Sequence, residues 1–318
     1  MNQKKSTKNT KSTKNTKLIK NTKLIKNTES TKNTKLIKNT KLIKNTESTK
    51  NTESTKNTES TKYDNYSLSK NENENIHLCE IINSHDNKSD QTDVLLYLDD
   101  SVYTLIIKNS SNHGCCLIIS GGNNLVNLKA SNCKLNNLYF LDETNIRSII
   151  ISNNLLTSLD LSNCINLISL ECNHNLLTEL IINSDNLIDL LCQNNLLDEL
   201  KISISTKLKQ LMCFNNNLLN LNLKNFTDLE ILDCSYNSIS TLNLSNCSNI
   251  INIYCSHNKI NDLDLSGFNK LLSVYCTYSN ILNLDVSKCS KLKYLMAFGN
   301  TNIKVKINGC FELETIKY

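Results

Sequence analysis

Proline and tryptophan are absent, and 318 residues contain only six glycines and one arginine, Arg147. Globular chains average about 5% proline and 7% glycine, so other residues shape the bends of this one. Neither G-x-G-x-x-G nor G-x-x-x-x-G-K-[ST] occurs, which removes the two commonest glycine-rich phosphate cradles. Five histidines leave little material for acid–base chemistry. No run of about 18 apolar residues is present to cross a membrane, and Met1-Asn2-Gln3-Lys4-Lys5-Ser6 has no apolar region behind its charge. The expectation is a chain that is neither secreted nor membrane-bound and works in a cytoplasm.

The net charge of +5 hides two opposite parts. Residues 1–62 carry 17 lysines against four glutamates, +13, which leaves −8 on residues 63–318. Most of that tail is a hexad, Lys-Asn-Thr-Lys-Leu-Ile or Lys-Asn-Thr-Glu-Ser-Thr, as in Lys20 to Ile25 and Lys26 to Thr31. A period of six aligns neither a helical nor a strand face, and the hexads hold too little apolar area to offset the entropy of ordering them. The tail is read as disordered, low-complexity spacer. Its lysines offer weak, salt-sensitive nucleic-acid affinity, but it has no aromatic residue to stack on a base and no arginine to read a guanine edge. Residues 63–103 read as linker and N-terminal cap. His77 and Cys79 there are two potential metal ligands with no second pair nearby.

From Leu125 onward one pattern recurs: Leu167-x-x-Leu170-x-Cys172-x-x-Asn175-x-Leu177-x-x-Leu180-x-Ile182. Units start at Leu125, Ile146, Leu167, Leu187, Leu208, Leu229, Ile250, Leu271 and Leu292, and Leu313 begins another. An imperfect unit around Ile107 to Ile119 closes the front of a 104–318 repeat domain. The pattern resembles the leucine-rich repeat family, whose unit is L-x-x-L-x-L-x-x-N/C-x-L. With its Asn/Lys/Ile bias and hexads, the chain also resembles leucine-rich repeat proteins of giant DNA viruses of the Mimivirus type. The family resemblance implies an α/β-type curved solenoid, with a parallel sheet on the concave face and extended, turn or 3₁₀ segments on the convex face.

The columns explain themselves physically. Apolar residues at positions 1, 4, 6, 11, 14 and 16 cannot be buried by one unit, so stability comes from stacking units. Alternation around positions 4 to 6 suggests one short strand, such as Leu211-Met212-Cys213. Position 9 is Asn in Asn154, Asn175, Asn195, Asn216, Asn237, Asn258 and Asn300, where an amide satisfies backbone groups between units. Cys133 and Ser279 are the exceptions, and Ser279 reads as a local weak point. Cys172, Cys192, Cys213, Cys234, Cys255 and Cys276 share position 6. A straight column offers a metal a line of ligands instead of a cage, so buried thiols are expected, in a reducing compartment.

No catalytic grouping emerges. His174 and His257 fall at position 8 without a registered nucleophile, and His113-Gly114-Cys115-Cys116 is too cramped for four ligands. The expectation is no enzyme, no cofactor, no metal and no small-molecule substrate. What remains is the face formed by positions 3, 5, 7 and 8. Early units place Lys129, Ser131, Ser148, Ser152, Ser169, Glu171 and Asn173 there. Later units place Met212, Phe214, Tyr236, Tyr254, Tyr275, Tyr278, Tyr294, Met296 and Phe298 there. Aromatics gathered on an open surface mark a recognition patch, so the expected function is binding of a partner protein on the concave face. Two alternatives are a nucleic-acid-associated protein acting through the tail and the substrate-recognition arm of a ubiquitin-ligase-type complex.

Overall fold

The structure is a computed structural model that describes residues 66–71, 76–81, 91–109, 114–202 and 207–318. The 1–62 tail and His113 lie outside the described residues. The described part consists of 22 strands joined by turns, and it contains no helix. Thirteen strands form one long sheet. Tyr66–Asn71 pairs antiparallel with Ile76–Ile81, and every later neighbour is parallel.

From the turn at Leu125 onward, like positions face like. Leu170 lies opposite Ile149 on one side and Leu190 on the other. The strands occupy positions 3 to 5, as in Gln210–Met212 and Asn252–Tyr254, one residue earlier than the alternation suggested. Position 4 points inward, and positions 3 and 5 point out.

The reverse side carries three three-stranded parallel sheets. The first joins Gln91–Leu98, Gly114–Gly121 and Leu135–Phe140; the second joins Ser158–Leu161, Glu179–Ile182 and Lys201–Ile202. The third joins Asp262–Asp264, Asn283–Asp285 and Lys304–Lys306. Extended chain and turns therefore fill the place where 3₁₀ segments were a further option, and the α/β label becomes all-β for the described residues. The reason is in the spacing: inward residues at positions 14 and 16 lie two apart, which is the period of a strand. A unit of 20 or 21 residues leaves no length for a helix.

The stretch read as linker and cap holds three of these strands. The step from one turn to the next shortens along the chain: Ile76 faces Thr104, Thr104 faces Asn127, and Asn127 faces Ser148. Two longer turns thus precede the regular array.

The inward columns are closed to solvent. Leu167, Leu187, Leu208 and Leu229 at position 1 are fully buried, as are Leu170, Leu190, Leu211 and Leu232 at position 4. Each such side chain contributes about 1.5–3 kcal/mol relative to exposure. All fourteen cysteines are free thiols, and only Cys310 is not fully buried. Burial pushes the Cys192 and Cys276 thiols up to about 12.

The Asn column ties each turn to the one before it. Asn216 donates from Nδ2 to its own Cys213 carbonyl and to Cys192 of the preceding turn, each at 3.1 Å. Its Oδ1 accepts the Leu197 N–H at 3.0 Å. At the two exceptions the following amide does double duty. Asn154 accepts from both Cys133 and Leu135, and Asn300 from both Ser279 and Ile281. Lys134 and Asn280 then turn left-handed, with φ of 51° and 60°. Ser279 is wholly buried and its hydroxyl reaches the Cys255 and Thr277 carbonyls. The expected weak point is a second, self-consistent form of the turn.

Candidate functional site

Position 8 follows immediately on the outside of the sheet. In every regular turn this residue is left-handed: Asn132, Asn153, His174, Asn194, Asn215, Tyr236, His257 and Tyr278 have φ between 51° and 59°, and Gly299 has φ 77°. Asn and Gly accept this region readily; for bulky side chains it is unfavourable by roughly 1–2 kcal/mol. In the front half the column is polar and hydrogen-bonded. Asn215 donates to Asn194 at 2.7 Å, and the Asn194 amide meets the His174 ring at 3.1 Å.

The back half replaces amides with rings. Tyr236 and His257 stack with centroids 4.3 Å apart and 12° between planes, and His257 and Tyr278 stack at 5.0 Å and 22°. Phe298 closes the row edge-on at 5.6 Å. A Cβ at 299 would lie 2.4 Å from the Tyr278 ring, so glycine there lets that ring keep its place. Stacking energy of about 0.5–1.5 kcal/mol per pair offsets the backbone cost.

A second track runs along position 5. Tyr254 faces Tyr275 and Tyr275 faces Met296 across the sheet, and the two tyrosine rings stack at 5.0 Å and 20°. Between the tracks lies position 7. There Ser235 and Thr277 are buried and Ser256 between them is half-buried, so in these turns the position forms a floor lower than the sequence suggested. Thr277 bonds through both its N–H and its hydroxyl to the Ser256 hydroxyl at 3.0 Å. The large Phe214 and Phe298 also stand in this column, Phe298 at 42% exposure.

The structure thus places all nine sequence-selected residues at least partly at the surface, in unequal groups. Tyr254, Tyr275 and Met296 form one track, and Tyr236, Tyr278 and Phe298 the other. Tyr294 is tied to the last turn, donating to Glu314 at 3.2 Å. Met212 and Phe214 stand apart, because the next turn puts Asp233 and Ser235 at their positions. Burial holds the Asp233 carboxyl above the usual carboxylate range, opposed by hydrogen bonds from Ser235. His257 was weighed for catalysis and set aside; its place between Tyr236 and Tyr278 at position 8 was the signal for its role in the stack.

The same seventh column differs toward the front. Ser152 Oγ, Asn173 Oδ1 and Gln193 Oε1, on three successive turns, are buried without a hydrogen-bond partner. Among the described residues, no three His, Cys, Asp or Glu side chains come together as a metal site, and no helix is long and apolar enough to cross a membrane.

No protein-family description matches this chain, and no curated protein does. Solved structures do match. The functional domain of InlJ from Listeria monocytogenes, which includes a cysteine ladder, is 26% identical over 64% of this chain and 50% of that one, with a TM-score of 0.53. The leucine-rich repeat domain of APL1B is 18% identical over 67% of this chain and 73% of that one, with a TM-score of 0.52. The fold is a leucine-rich repeat solenoid. This solenoid spans half the length of the InlJ chain, and its own column of six cysteines runs from Cys172 to Cys276.

Proposed function

We propose that this leucine-rich repeat chain is a non-enzymatic recognition module that holds a partner protein on the outward face of its long sheet, over the turns from Leu229 to Leu292. The observation that carries the reading is the pair of aromatic tracks. Tyr236, His257 and Tyr278 occupy a backbone conformation that asparagine fills at lower cost in the front half. Tyr236 and Tyr278 remain more than half exposed there, so burial on this chain does not explain them. Rigid, exposed aromatics lose little entropy on binding and supply most of the energy at protein interfaces. The column of buried thiols favours work in a reducing compartment, a cytoplasm, with the lysine-rich tail as a spacer.

The test is a charge insertion. Tyr254→Lys with Tyr275→Lys should abolish capture of the chain's main partner from the cells that express it, while the melting temperature holds. Ser148→Lys with Ser169→Lys, on the polar front of the same face, should leave capture intact. Retention of every partner by the folded tyrosine variant would remove this surface from the mechanism and return attention to the basic tail.

A further inference from the structure

The two aromatic tracks and the floor between them select among ligand chemistries. Because Tyr236, His257 and Tyr278 stack face to face, as do Tyr254 and Tyr275, most of their ring faces are taken by one another. Sugars and nucleobases that bind by stacking find edges here, not platforms. The net −8 of residues 63–318 also opposes a polyanion. The ring edges and phenol hydroxyls instead form rungs spaced at one strand separation, about 4.8 Å.

An extended ligand lying across the strands along column 7 must match that spacing. A polyproline II segment repeats every three residues at about 3.1 Å each, or roughly 9.3 Å, close to the roughly 9.6 Å of two strand separations. A β-strand repeats every two residues, at about 6.7 Å, and drifts out of step. Polyproline II also leaves its carbonyls without internal partners, which suits a surface of tyrosine hydroxyls. The ligand's other end is specified by the front of the same column. Ser152, Asn173 and Gln193 hold buried oxygens without donors, and Glu171 and Asp189 project from the same sheet face beside them. An unsatisfied buried acceptor costs about 1–3 kcal/mol, so turning outward to a donor is favourable.

We infer that column 7 is the seat of a proline-rich segment of a partner protein, about nine residues long in the polyproline II form. Its basic end lies over the turns of Asn173 and Gln193, its middle crosses the Phe214 ring that rises from the same column, and its prolines lie between the Tyr254–Tyr275 and Tyr236–His257–Tyr278 tracks. Residues 1–318 contain no proline, so none of them supplies the segment. The inference rests on the recognition surface proposed above and names what that surface takes.

Three synthetic peptides, the third of nine prolines alone, test it against the full-length chain by titration calorimetry. One is Arg-Lys followed by seven prolines; the second has Gly-Ser residues in place of the prolines. The proline peptide should bind at least about tenfold more tightly, because its conformation is already ordered. Tyr254→Ser with Tyr275→Ser should weaken it by at least about tenfold with an unchanged melting temperature. Gln193→Leu should weaken the Arg-Lys peptide but not a nine-proline peptide without the basic pair. Equal affinity for the proline and Gly-Ser peptides, or proline binding indifferent to the tyrosine change, overturns the inference. If the proline peptide fails while the Tyr254→Lys, Tyr275→Lys chain still loses its natural partner, the recognition surface stands and its ligand is of another kind.

Discussion

Positions 8 and 9 are adjacent in every turn, yet they obey different rules. Position 9 is asparagine wherever the regular turn is kept, because its amide serves backbone groups of two turns at once. Position 8 needs only to accept a left-handed backbone, and it changes from mostly amides in front to rings behind. One column is dictated by what the chain does to itself. The other has room for a second purpose, and the aromatic half departs from the residues that suit its backbone best. That contrast separates scaffold from surface more sharply than burial does.

The contrast can be broken from the inside outward. Burial raises the Cys164, Cys192 and Cys276 thiols from 9.0 to about 12, so between those values the unfolded chain has lost protons that the folded chain keeps. Their contribution is fully present below pH 9 and is lost as pH rises toward 12, by about 1.4 kcal/mol per pH unit for each thiol. Denaturant midpoints should therefore fall steeply between pH 9 and pH 11, the largest effect expected here. A flat profile would mean that the thiol column is open to solvent.

Asn216→Leu should cost several kcal/mol, since each stranded buried group contributes about 1–3. Asn215→Leu should cost only about 1 kcal/mol, chiefly from its left-handed φ. Equal urea midpoints for these neighbours would erase the distinction between the columns. Gly299→Ala should cost about 1–2 kcal/mol from φ alone, and it should also displace the Tyr278 ring. A crystal structure of that variant with the ring unmoved would contradict the packing described.

The smallest change should come from restoring asparagine to the back half. Tyr236→Asn, His257→Asn and Tyr278→Asn together exchange stacking for a relaxed backbone, and stability should shift by less than about 1 kcal/mol. Partner capture should fall at the same time. A large loss of stability would instead make the rings part of the scaffold, like the column beside them.

The inward columns were legible because each one repeats a chemical demand: Leu170, Leu190 and Leu211 recur at the spacing that stacks them. The two front turns were not, since their longer steps break the period and Ile76–Ile81 carries no leucine frame. The tyrosines at positions 5 and 8 were placed correctly at the surface, but the sinking of Ser235 and Thr277 was hidden. Alternation alone does not say where a strand ends, and these strands end at position 5. The left-handed column was foreshadowed by Asn132, Asn153, Asn194 and Asn215, a residue type that tolerates such backbone. Its stacking needed the coordinates of Tyr236, His257 and Tyr278.

The amide ladder gives the solenoid a direction. Each asparagine oxygen completes the turn before its own, as Asn195 does for Leu177 and Asn258 does for Ile239. A turn is therefore unfinished until its successor arrives, and a chain growing from its N-terminus closes each turn one step late. Trimming from the two ends is unequal for the same reason. Loss of a front turn leaves the next amide its own carbonyl partner, such as Cys172 for Asn175. Loss of a rear turn opens an N–H of the turn that remains.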